Sequence, residues 1–537
     1  MRRLLLLVLL LVALPTPAYA ETAPRVVVIG VPGLRWSDVD AARTPTLARL
    51  QREGASGVLS VKTAARQDCP VDAWLTLGAG NRVVATPPRC TGDLPLPASL
   101  PAQGALNEDR REGAEPGLLG RLVRTSGGCV DGAGAGGELA AADPAGSVGG
   151  SSCAVRIVAS TLPTADGAVA DAVATGATVL VVGLPAGGSP HLHVVLAYGP
   201  GFRPGALTSA STRREPYVQL VDVAPTVLSR LGIATPDAMI GEPMRAVGQV
   251  PAPAELRDEA VKADAQRSAT VPFFVLLVGL QVLLLGLALW RRWERTAEVV
   301  ALAGTCAVGA SYLANVVPWW RSGTPALLGA AAVATTGMTL ICLLGKGLLA
   351  RAGLATGLVA LVLVGDLLTG AHLQMSSVAG YSPLVAGRFA GIGNVAFGVL
   401  AAAVLLAAAS TRSATVAALT ALVVIVDGAP QWGSDVGGVL ALVPAYAVLV
   451  LLLAGRTASL GRVAVAALVG ALVVTAFGIA DHARPEDQQT HLGRFVGQVM
   501  DGSAGGVLRR KAEANLGLLF HSPVTAALPL LVIALLA

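Results

Sequence analysis

The chain has 537 residues, of which 53% are hydrophobic and 14% are charged. Soluble domains carry about 25% charged residues, so this composition excludes a wholly soluble enzyme. Long polar stretches rich in glycine and proline in the first half exclude a pure transporter as well. Many of the lysines and arginines behind the net charge of +5 lie beside apolar runs, which indicates membrane topology and no nucleic-acid partner. We therefore expect two unlike halves.

The first 20 residues have the pattern of a secretory signal peptide. Arg2 and Arg3 precede an apolar run from Leu4 to Leu14, and Ala18-Tyr19-Ala20 offers the small-x-small site that signal peptidase cleaves. The mature chain is then expected to begin near Glu21. The alternative is an uncleaved N-terminal anchor, although the apolar run is short for a span of about 20 residues. Both interpretations predict that the following segment is exported.

Residues 21–270 have the pattern of an extracytoplasmic α/β domain. β-Branched runs predict buried strands at 25–30, 155–160, 178–183 and 193–198. Helical spacing predicts helices at 46–53 and 218–231. Since strands and helices alternate, we expect a parallel sheet with crossover helices. The segment rich in glycine and alanine at 132–137 is expected to be a loop.

Four of the six cysteines lie in this exported half: Cys69, Cys90, Cys129 and Cys153. They allow three pairings, and we favour disulfides within the first two and within the last two because each bond closes a short loop. Cys306 and Cys342 lie in apolar runs and are expected to be small packing residues. The sequence has no CxxC motif and no Cys/His cluster typical of zinc, so no metal and no other cofactor is predicted.

Residues 271–537 are predicted to be an all-α multi-pass membrane domain of about nine helices. The apolar runs are 271–290, 298–317, 325–345, 353–371, 391–409, 413–427, 436–454, 461–480 and 522–537. If the first half is outside, the loops predicted to face the cytoplasm carry lysine and arginine, at 291–295, 346–351, 412 and 456–462. The polar loops that then face outward are 319–324, 372–388, 427–435 and 481–521. The predicted localisation is the cell membrane.

Two stretches of the exported half resemble the alkaline phosphatase and sulfatase superfamily. Val218-Gln-Leu-Val-Asp-Val-Ala-Pro-Thr-Val-Leu-Ser-Arg-Leu-Gly-Ile233 is similar to the family's DxAPTxLxxLGI signature, and it lies between the strand and turn of 193–205 and Gly241-Glu-Pro243. Val26 to Arg35 with Thr44-Pro-Thr-Leu-Ala-Arg-Leu50 is similar to the opening strand and TPxLxxL helix. The resemblance implies an alkaline-phosphatase-like sheet with flanking helices over nearly the whole exported half.

The metal ligands that the resemblance implies are replaced in this sequence. Pro32-Gly33 stands where the family has an Asp-Gly pair, and Gly183-Leu184-Pro185 stands where an Asp-His-Gly is expected. No histidine occurs between Phe202 and Pro225, where the phosphodiesterase branch has a ligand. Asp68 falls at the position of the nucleophile. We assign non-catalytic roles to Asp68 and to the other titratable candidates: Asp72, His191, His193 and Asp222. The exported half is predicted to be a pseudoenzyme that is not a metal-dependent hydrolase and that binds a ligand or partner.

Three polar clusters stand out in the membrane domain, where an ionisable group costs several kcal/mol unless it is paired or solvated. They are Asp366 with 372–394, Asp427 to Asp435, and Asp481 to Arg494. Gly387-Arg388 with Gly393-Asn394 resembles the Arg and Gly-Asn pattern of O-antigen ligases and polymerases. This resemblance implies glycan transfer from a lipid-linked pyrophosphate, with arginine on the leaving group and His482 or His491 as the base. The implied site is Arg388, Asn394, Asp435, His491 and Arg494.

A structural interpretation stands beside this one, in which Arg388 pairs with Asp366, Asp427 or Asp435 and holds the helix ends together. Transport is a third hypothesis, although the sequence has no internal repeat. The favoured hypothesis is a bacterial cell-envelope membrane protein whose inactive exported domain binds a ligand or partner. The alternative is a glycan transferase, ligase or flippase at the outer membrane face. The expected partners are the lipid bilayer and an envelope glycan, a lipid-linked precursor or another envelope protein.

Overall fold

The computed structural model describes residues 26–502, apart from residues 88, 89, 91, 92, 109, 111, 112, 151, 152, 412, 413 and 486–488, together with residue 505. The predicted signal peptide and the predicted ninth apolar run, 522–537, lie outside the described residues. The chain forms a sheet half, residues 26–252, followed by a helical half, residues 253–502.

The described residues of the sheet half form one nine-stranded sheet. In chain order its strands are β1 (Val26–Pro32), β2 (Ala55–Ser60), β3 (Val130–Ala133), β4 (Val155–Ala159), β5 (Thr178–Leu184), β6 (His193–Tyr198), β7 (Gly205–Thr208), β8 (Tyr217–Gln219) and β9 (Arg245–Val247). Their spatial order is β3-β4-β1-β5-β6-β2-β7-β9, and β8 pairs with β2. The four strands predicted from β-branched runs are confirmed as β1, β4, β5 and β6.

The prediction of a parallel sheet is confirmed only in part, because the sheet is mixed. β1 pairs in parallel with β4 and β5, β3 with β4, and β2 with β7 and β8. β6 runs antiparallel to both β5 and β2, and β9 runs antiparallel to β7. A parallel crossover takes a dozen or more residues, so the short connection 185–192 can only reverse the chain between β5 and β6.

The flanking helices of the sheet half are α1 (Pro45–Glu53), α2 (Pro70–Ala79), α3 (Leu100–Glu108), α4 (Leu118–Thr125), α5 (Gly134–Ala141), α6 (Ala165–Ala174) and α7 (Val223–Arg230). They cover both faces, since alternate residues of β1 belong to different cores. Val26 and Val28 pack in the cluster that contains Trp74 of α2, whereas Val27 and Ile29 pack in the cluster that contains Leu47 of α1. The two-residue period of a strand thus builds a core on each side of the sheet.

Two predictions for this half are wrong. Residues 132–137 are not a loop: they end β3 and begin α5. A Cβ at Gly137 would overlap the Ile157 carbonyl oxygen, so the glycines let α5 pack closely on β4. The helix predicted at 218–231 begins only at Val223, because Val218 pairs with Leu59 as part of β8 and a short 3₁₀ turn follows. Sheet pairing overrides the local helical pattern there.

Both predicted disulfides are present. Cys69 is bonded to Cys90 with a Cα–Cα distance of 4.8 Å, and Cys129 is bonded to Cys153 with a Cα–Cα distance of 5.0 Å. The first joins the start of α2 to the following loop, and the second joins the segments that precede β3 and β4. Such bonds persist in oxidising compartments.

The helical half contains α8 (Pro253–Trp290), α9 (Glu294–Leu313), α10 (Thr324–Leu343), α11 (Leu348–Leu368), α12 (Asn394–Thr411), α13 (Ala414–Gly428), α14 (Val436–Leu453), α15 (Leu460–His482) and α16 (His491–Met500). Six helices in the described part of the chain, α8 to α11, α14 and α15, are long and apolar enough to cross a membrane. α12 is a shorter apolar helix and α13 has 15 residues. The described residues therefore support a multi-pass membrane protein with about six candidate spans, and the predicted nine are not confirmed.

The surface of α8 supports a lipid environment. Val271, Val275 and Val282 are exposed by 68%, 68% and 67%. A row of exposed apolar side chains of this size is unusual on a protein surrounded by water. The apolar part of α8 is therefore suited to contact with lipid chains.

The first membrane helix is continuous with the sheet half. α8 begins at Pro253, and its first turns pack on the sheet half before its apolar part starts. Arg257 donates hydrogen bonds to the carbonyls of Trp36 at 3.1 Å and Val39 at 2.9 Å. His191 Nδ1 lies 2.9 Å from the Asp264 carboxylate. The boundary predicted at residue 270 thus falls inside a single helix.

Candidate functional site

The sheet half contacts the polar loops of the helical half through arginine side chains: Arg82, Arg213 and Arg214. Their acceptors are the backbone carbonyls of residues 370, 371, 386, 389 and 430. The Ser60 hydroxyl adds a hydrogen bond of 2.6 Å to the Pro383 carbonyl. Buried carbonyl groups require donors, and these arginines supply them from the opposite half. The predicted outer loops 372–388 and 427–435 therefore both lie against the sheet half.

Asp366 and Gln374, predicted as parts of a polar cluster, organise the loop between α11 and α12. The Asp366 carboxylate accepts hydrogen bonds from the Leu373 amide at 2.7 Å and from Gln374 Nε2 at 3.1 Å. Gln374 Oε1 in turn accepts a hydrogen bond of 3.0 Å from the Gly393 amide. Asn315 on the segment after α9 donates to two further carbonyls of this loop. The cluster fixes the loop in one conformation.

A cavity of about 640 Å³, here called the junction cavity, lies between the two halves. Four arginines line it: Arg213, Arg214, Arg245 and Arg484. Glu215 is the one carboxylate among the described residues of its lining, and His372 and Trp432 lie on the helical side. Guanidinium groups bind phosphate and carboxylate oxygens through paired hydrogen bonds. The junction cavity is therefore suited to an anionic ligand.

The positive charges near the junction cavity contribute to the lowered pKa of Arg213. Burial lowers the pKa of Arg213 to about 10; the Asp481 carboxylate opposes this shift, and the charges of Arg388, Arg484 and Arg494 add to it. Burial and the charge of Arg214 also lower the pKa of His372. His372 Nδ1 lies 3.3 Å from Arg214 Nη1 and, being neutral at pH 7, can accept its hydrogen bond.

Two residues of the predicted glycan-transfer site, Arg388 and Asp435, lie close to the buried Asp427. Arg388 donates a hydrogen bond of 3.3 Å to the Gly433 carbonyl. A Cβ at Gly438 would overlap Asp427 Oδ2 and lie 2.9 Å from Asp435 Oδ2, so the two carboxylates converge on this glycine. Neither carboxylate oxygen of Asp427 has a hydrogen-bond partner within the described chain.

The other three predicted site residues are Arg494, Asn394 and His491. Arg494 forms an ion pair with Glu242 of the sheet half. Asn394 and His491 are the first residues of α12 and α16, and both are exposed. Neither is among the described residues that line the junction cavity. The structure thus groups Arg388 with Asp435 and places Arg494 at the contact with the sheet half, while the Ile392 amide, two residues before Asn394, donates to the same Gly433 carbonyl as Arg388.

The third predicted polar cluster closes the loop between α15 and α16. The buried Asp481 carboxylate accepts hydrogen bonds from the amides of Thr490 at 2.9 Å and Gly493 at 2.8 Å, and it pairs with Arg484 at 3.1 Å. His482 Nδ1 lies 3.1 Å from the Gly493 carbonyl. These contacts hold Arg484 at the edge of the junction cavity.

Apolar residues occupy the strand ends where the resemblance implies metal ligands. Pro32 at the end of β1 is paired in register with Leu184 at the end of β5, and Leu184 is fully buried. Asp68 accepts hydrogen bonds from the Thr63 amide at 2.9 Å and Lys62 Nζ at 2.8 Å. Among the described residues, no three His, Cys, Asp or Glu side chains are grouped so that they could hold a metal ion.

Two buried titratable groups of the sheet half have strongly shifted pKa values. Burial raises the pKa of Asp222 to about 7, although hydrogen bonds from the Gln219 amide and from Ser209 and Ser211 oppose the shift. Burial lowers the pKa of His193 to about 4, and its hydrogen bond with the Leu34 carbonyl opposes that shift. Both side chains lie within the fold and away from the junction cavity lining, which agrees with structural roles.

Sequence reasoning missed the arginines of the junction cavity, although one signal was available. Arg213-Arg214 is a pair of adjacent cations in a chain that is only 14% charged, and it falls between two strands of the sheet half. Arg245 and Arg484 stand alone in the sequence. Only the docking of the two halves brings them to one cavity.

Comparison of the chain with protein-family models, with curated proteins and with solved structures gives no match. The function is therefore argued from the geometry of the junction.

Proposed function

We propose that this chain is a multi-pass membrane protein of the bacterial cell envelope that binds a phosphate-bearing envelope ligand in the junction cavity. The observation that carries the proposal is the cationic lining drawn from both halves: Arg213, Arg214 and Arg245 from the sheet half and Arg484 from the helical half. A lipid-linked phosphate or pyrophosphate group fits this position, because the cavity lies where the sheet half meets the ends of the membrane helices.

Two ion pairs support an orientation with the sheet half outside the cell. Asp258 near the start of α8 pairs with Arg321, which precedes α10, at 2.7 Å. Glu298 near the start of α9 pairs with Arg351 near the start of α11 at 3.0 Å. The first pair lies at the end of the helices nearest the sheet half, and the second lies at the end where lysine and arginine are abundant. Two disulfides in the sheet half also favour an oxidising compartment.

The sheet half is proposed to be an alkaline-phosphatase-like domain that has lost hydrolysis and kept recognition. Pro32 and Leu184 at the strand ends support this, because neither side chain can coordinate a metal. Elemental analysis of the purified full chain should find no stoichiometric zinc, manganese or calcium. Two tightly bound ions together with phosphodiesterase turnover would contradict the proposal.

Ligand binding is tested with inorganic pyrophosphate and the purified full chain in lipid nanodiscs. Wild-type protein should bind pyrophosphate, and Arg245→Gln and Arg484→Gln should each weaken binding about tenfold, since a charge-assisted hydrogen bond contributes about 1.5–3 kcal/mol. Isothermal titration calorimetry measures the affinities. The matched control is Arg52→Gln, which removes an exposed arginine of α1 outside the junction cavity.

The control variant should bind pyrophosphate as wild type does. Equal affinity in wild type, Arg245→Gln and Arg484→Gln, with all proteins folded by circular dichroism, would overturn the proposed site.

Glycan transfer from a lipid-linked pyrophosphate is a second candidate. The observation that favours it is Asp427, a fully buried carboxylate without a hydrogen-bond partner in the described chain, beside Arg388 and Asp435. In this version Arg388 stabilises the pyrophosphate leaving group, and the carboxylate pair of Asp427 and Asp435, rather than His491, accepts the proton of the attacking hydroxyl.

Membranes that contain Asp427→Asn or Arg388→Ala should then fail to transfer glycan from a lipid-linked donor while they keep pyrophosphate binding. Arg456→Ala, which changes an exposed arginine after α14, is the control and should leave transfer unchanged. Normal transfer by both test variants would remove this candidate and leave the binding proposal intact.

A further inference from the structure

A second basic cavity of about 470 Å³ lies beside the junction cavity on the sheet half. Its lining includes Phe202, Arg203, Arg230 and Arg245. Arg245 on β9 also lines the junction cavity, so the two cavities share this side chain. We call the second one the edge cavity, because β9 is the terminal strand of the sheet.

Arg230 and Phe202 form a defined surface in the edge cavity. The Arg230 guanidinium lies over the Phe202 ring, 5.1 Å from its centroid, and donates a hydrogen bond of 3.0 Å to the Gly201 carbonyl. Gly201 has a φ of 85°, and a Cβ there would overlap Arg230 Nη1. A guanidinium has five N–H donors, and the contact with Gly201 uses one of them. The glycine therefore makes room for an arginine that keeps donor capacity for a ligand.

We propose that a chain with repeated phosphate groups binds across both cavities, with one phosphate in the junction cavity and a later one in the edge cavity, and with Arg245 between them. The inference rests on the proposed function and names its ligand class: a membrane-anchored polyanionic chain of more than one unit. A single headgroup would occupy the junction cavity alone.

Charge and shape both support an extended ligand. Among the described residues that line the two cavities there are six arginines and a single carboxylate, Glu215. Each cavity also has one aromatic side chain beside its arginines, Trp432 in one and Phe202 in the other. Aromatic rings with adjacent guanidinium groups suit sugar or other ring units that lie between anionic groups. The repetition of this arrangement on the two sides of Arg245 matches a repeating ligand.

The test compares inorganic pyrophosphate with long-chain inorganic polyphosphate, using the full chain in nanodiscs. A linked second group binds at high effective concentration, so polyphosphate should bind wild-type protein at least about tenfold more tightly than pyrophosphate. Arg203→Gln and Arg230→Gln should abolish most of this gain and leave pyrophosphate affinity unchanged. Gly201→Ala should also reduce the gain in polyphosphate affinity, because the added methyl group displaces Arg230, although this substitution removes no charge.

Arg52→Gln is the control for net charge and should keep the full gain. If wild type binds pyrophosphate but the Arg203, Arg230 and Gly201 variants keep the higher affinity for polyphosphate, the proposal of an extended ligand is overturned. The proposed binding site in the junction cavity then still stands. If pyrophosphate does not bind, or binds equally to Arg245→Gln and Arg484→Gln, the proposed function fails and this inference fails with it.

Discussion

At the scale of single residues, the pKa values of Asp222 and His193, both in the sheet half, are shifted in opposite directions. The folded-state pKa of Asp222 is raised to about 7, so the folded protein holds this proton more firmly than the unfolded chain and loses stability as pH rises from about 4 to 7. The folded-state pKa of His193 is lowered to about 4, so its contribution falls as pH decreases from 6.5 to 4. Between pH 4 and 6.5 the two effects oppose each other.

Single substitutions should expose each effect. Asp222→Asn leaves the His193 effect, so the free energy of unfolding should rise with pH between 4 and 6.5, by at most about 1.4 kcal/mol per pH unit for one proton. His193→Asn leaves the Asp222 effect, so the free energy of unfolding should fall as pH rises over the same interval. Thermal denaturation midpoints of the full chain in detergent, measured across this pH range, report the two slopes.

The double variant Asp222→Asn/His193→Asn should lose both contributions and serves as the control. Slopes of the same sign in the two single variants would contradict the assigned titrations. Because neither side chain lines the junction cavity, the binding of pyrophosphate at a fixed pH should not distinguish these proteins from wild type.

The site shows why residue-level prediction succeeded for some side chains and failed for others. Cys69 with Cys90 was predictable because short loops leave few alternatives for pairing. The membership of Arg388 and Asp435 in polar clusters was predictable because ionisable groups are rare in apolar sequence. Arg245 and Arg484 were not, since a solitary arginine in a polar stretch has the same sequence pattern whether it faces solvent or a cavity.

At the scale of elements, β-branched runs predicted β1, β5 and β6 because these strands are buried on both faces, and they also predicted β4, which is half-buried on one face. The short strands β3, β7 and β9, of which the first and last form the edges of the sheet, carry no such signal. β8 was mistaken for the start of a helix because its pairing with β2 is a tertiary interaction. Local pattern therefore identifies central strands, while edges and register depend on contacts distant in sequence.

The first turns of α8 should stabilise the loop between β1 and α1. Arg257→Ala removes the donors to the carbonyls of Trp36 and Val39, and it should destabilise this loop by about 1–3 kcal/mol, since two buried carbonyls lose their partners. Hydrogen–deuterium exchange of a peptide that covers residues 33–44 should become faster.

Arg267→Ala, an exposed arginine on the same helix, is the matched control and should leave the exchange of that peptide unchanged. Unaltered exchange in Arg257→Ala would mean that the start of α8 does not hold this loop.

At the scale of the whole molecule, two serine-to-cysteine substitutions can determine the orientation of the chain in the membrane. Ser322 precedes α10 and Ser459 precedes α15, and both are exposed. In intact cells a membrane-impermeant maleimide should label Ser322→Cys but not Ser459→Cys. After lysis both should react. Background labelling should be low, because Cys306 and Cys342 are buried and the other four cysteines are in disulfides.

Labelling of Ser459→Cys alone in intact cells would reverse the topology and remove the junction cavity from the outer surface. Labelling of both positions would contradict a membrane between them. Either result would also remove the lipid-linked ligand from reach of the proposed site.

The continuity of α8 makes the molecule responsive to the thickness of its bilayer. A helix of 38 residues is about 57 Å long, nearly twice the thickness of the hydrocarbon layer, so its outer part lies outside that layer and packs on the sheet half. A membrane helix adapts to a thinner bilayer by tilting. Because the two parts of α8 form one helix, in spite of the backbone hydrogen bond that Pro272 removes between them, we expect the sheet half to follow that tilt, while the opposite wall of the junction cavity is carried by other helices. We therefore expect the width of the cavity, and with it the affinity for ligand, to vary with lipid chain length.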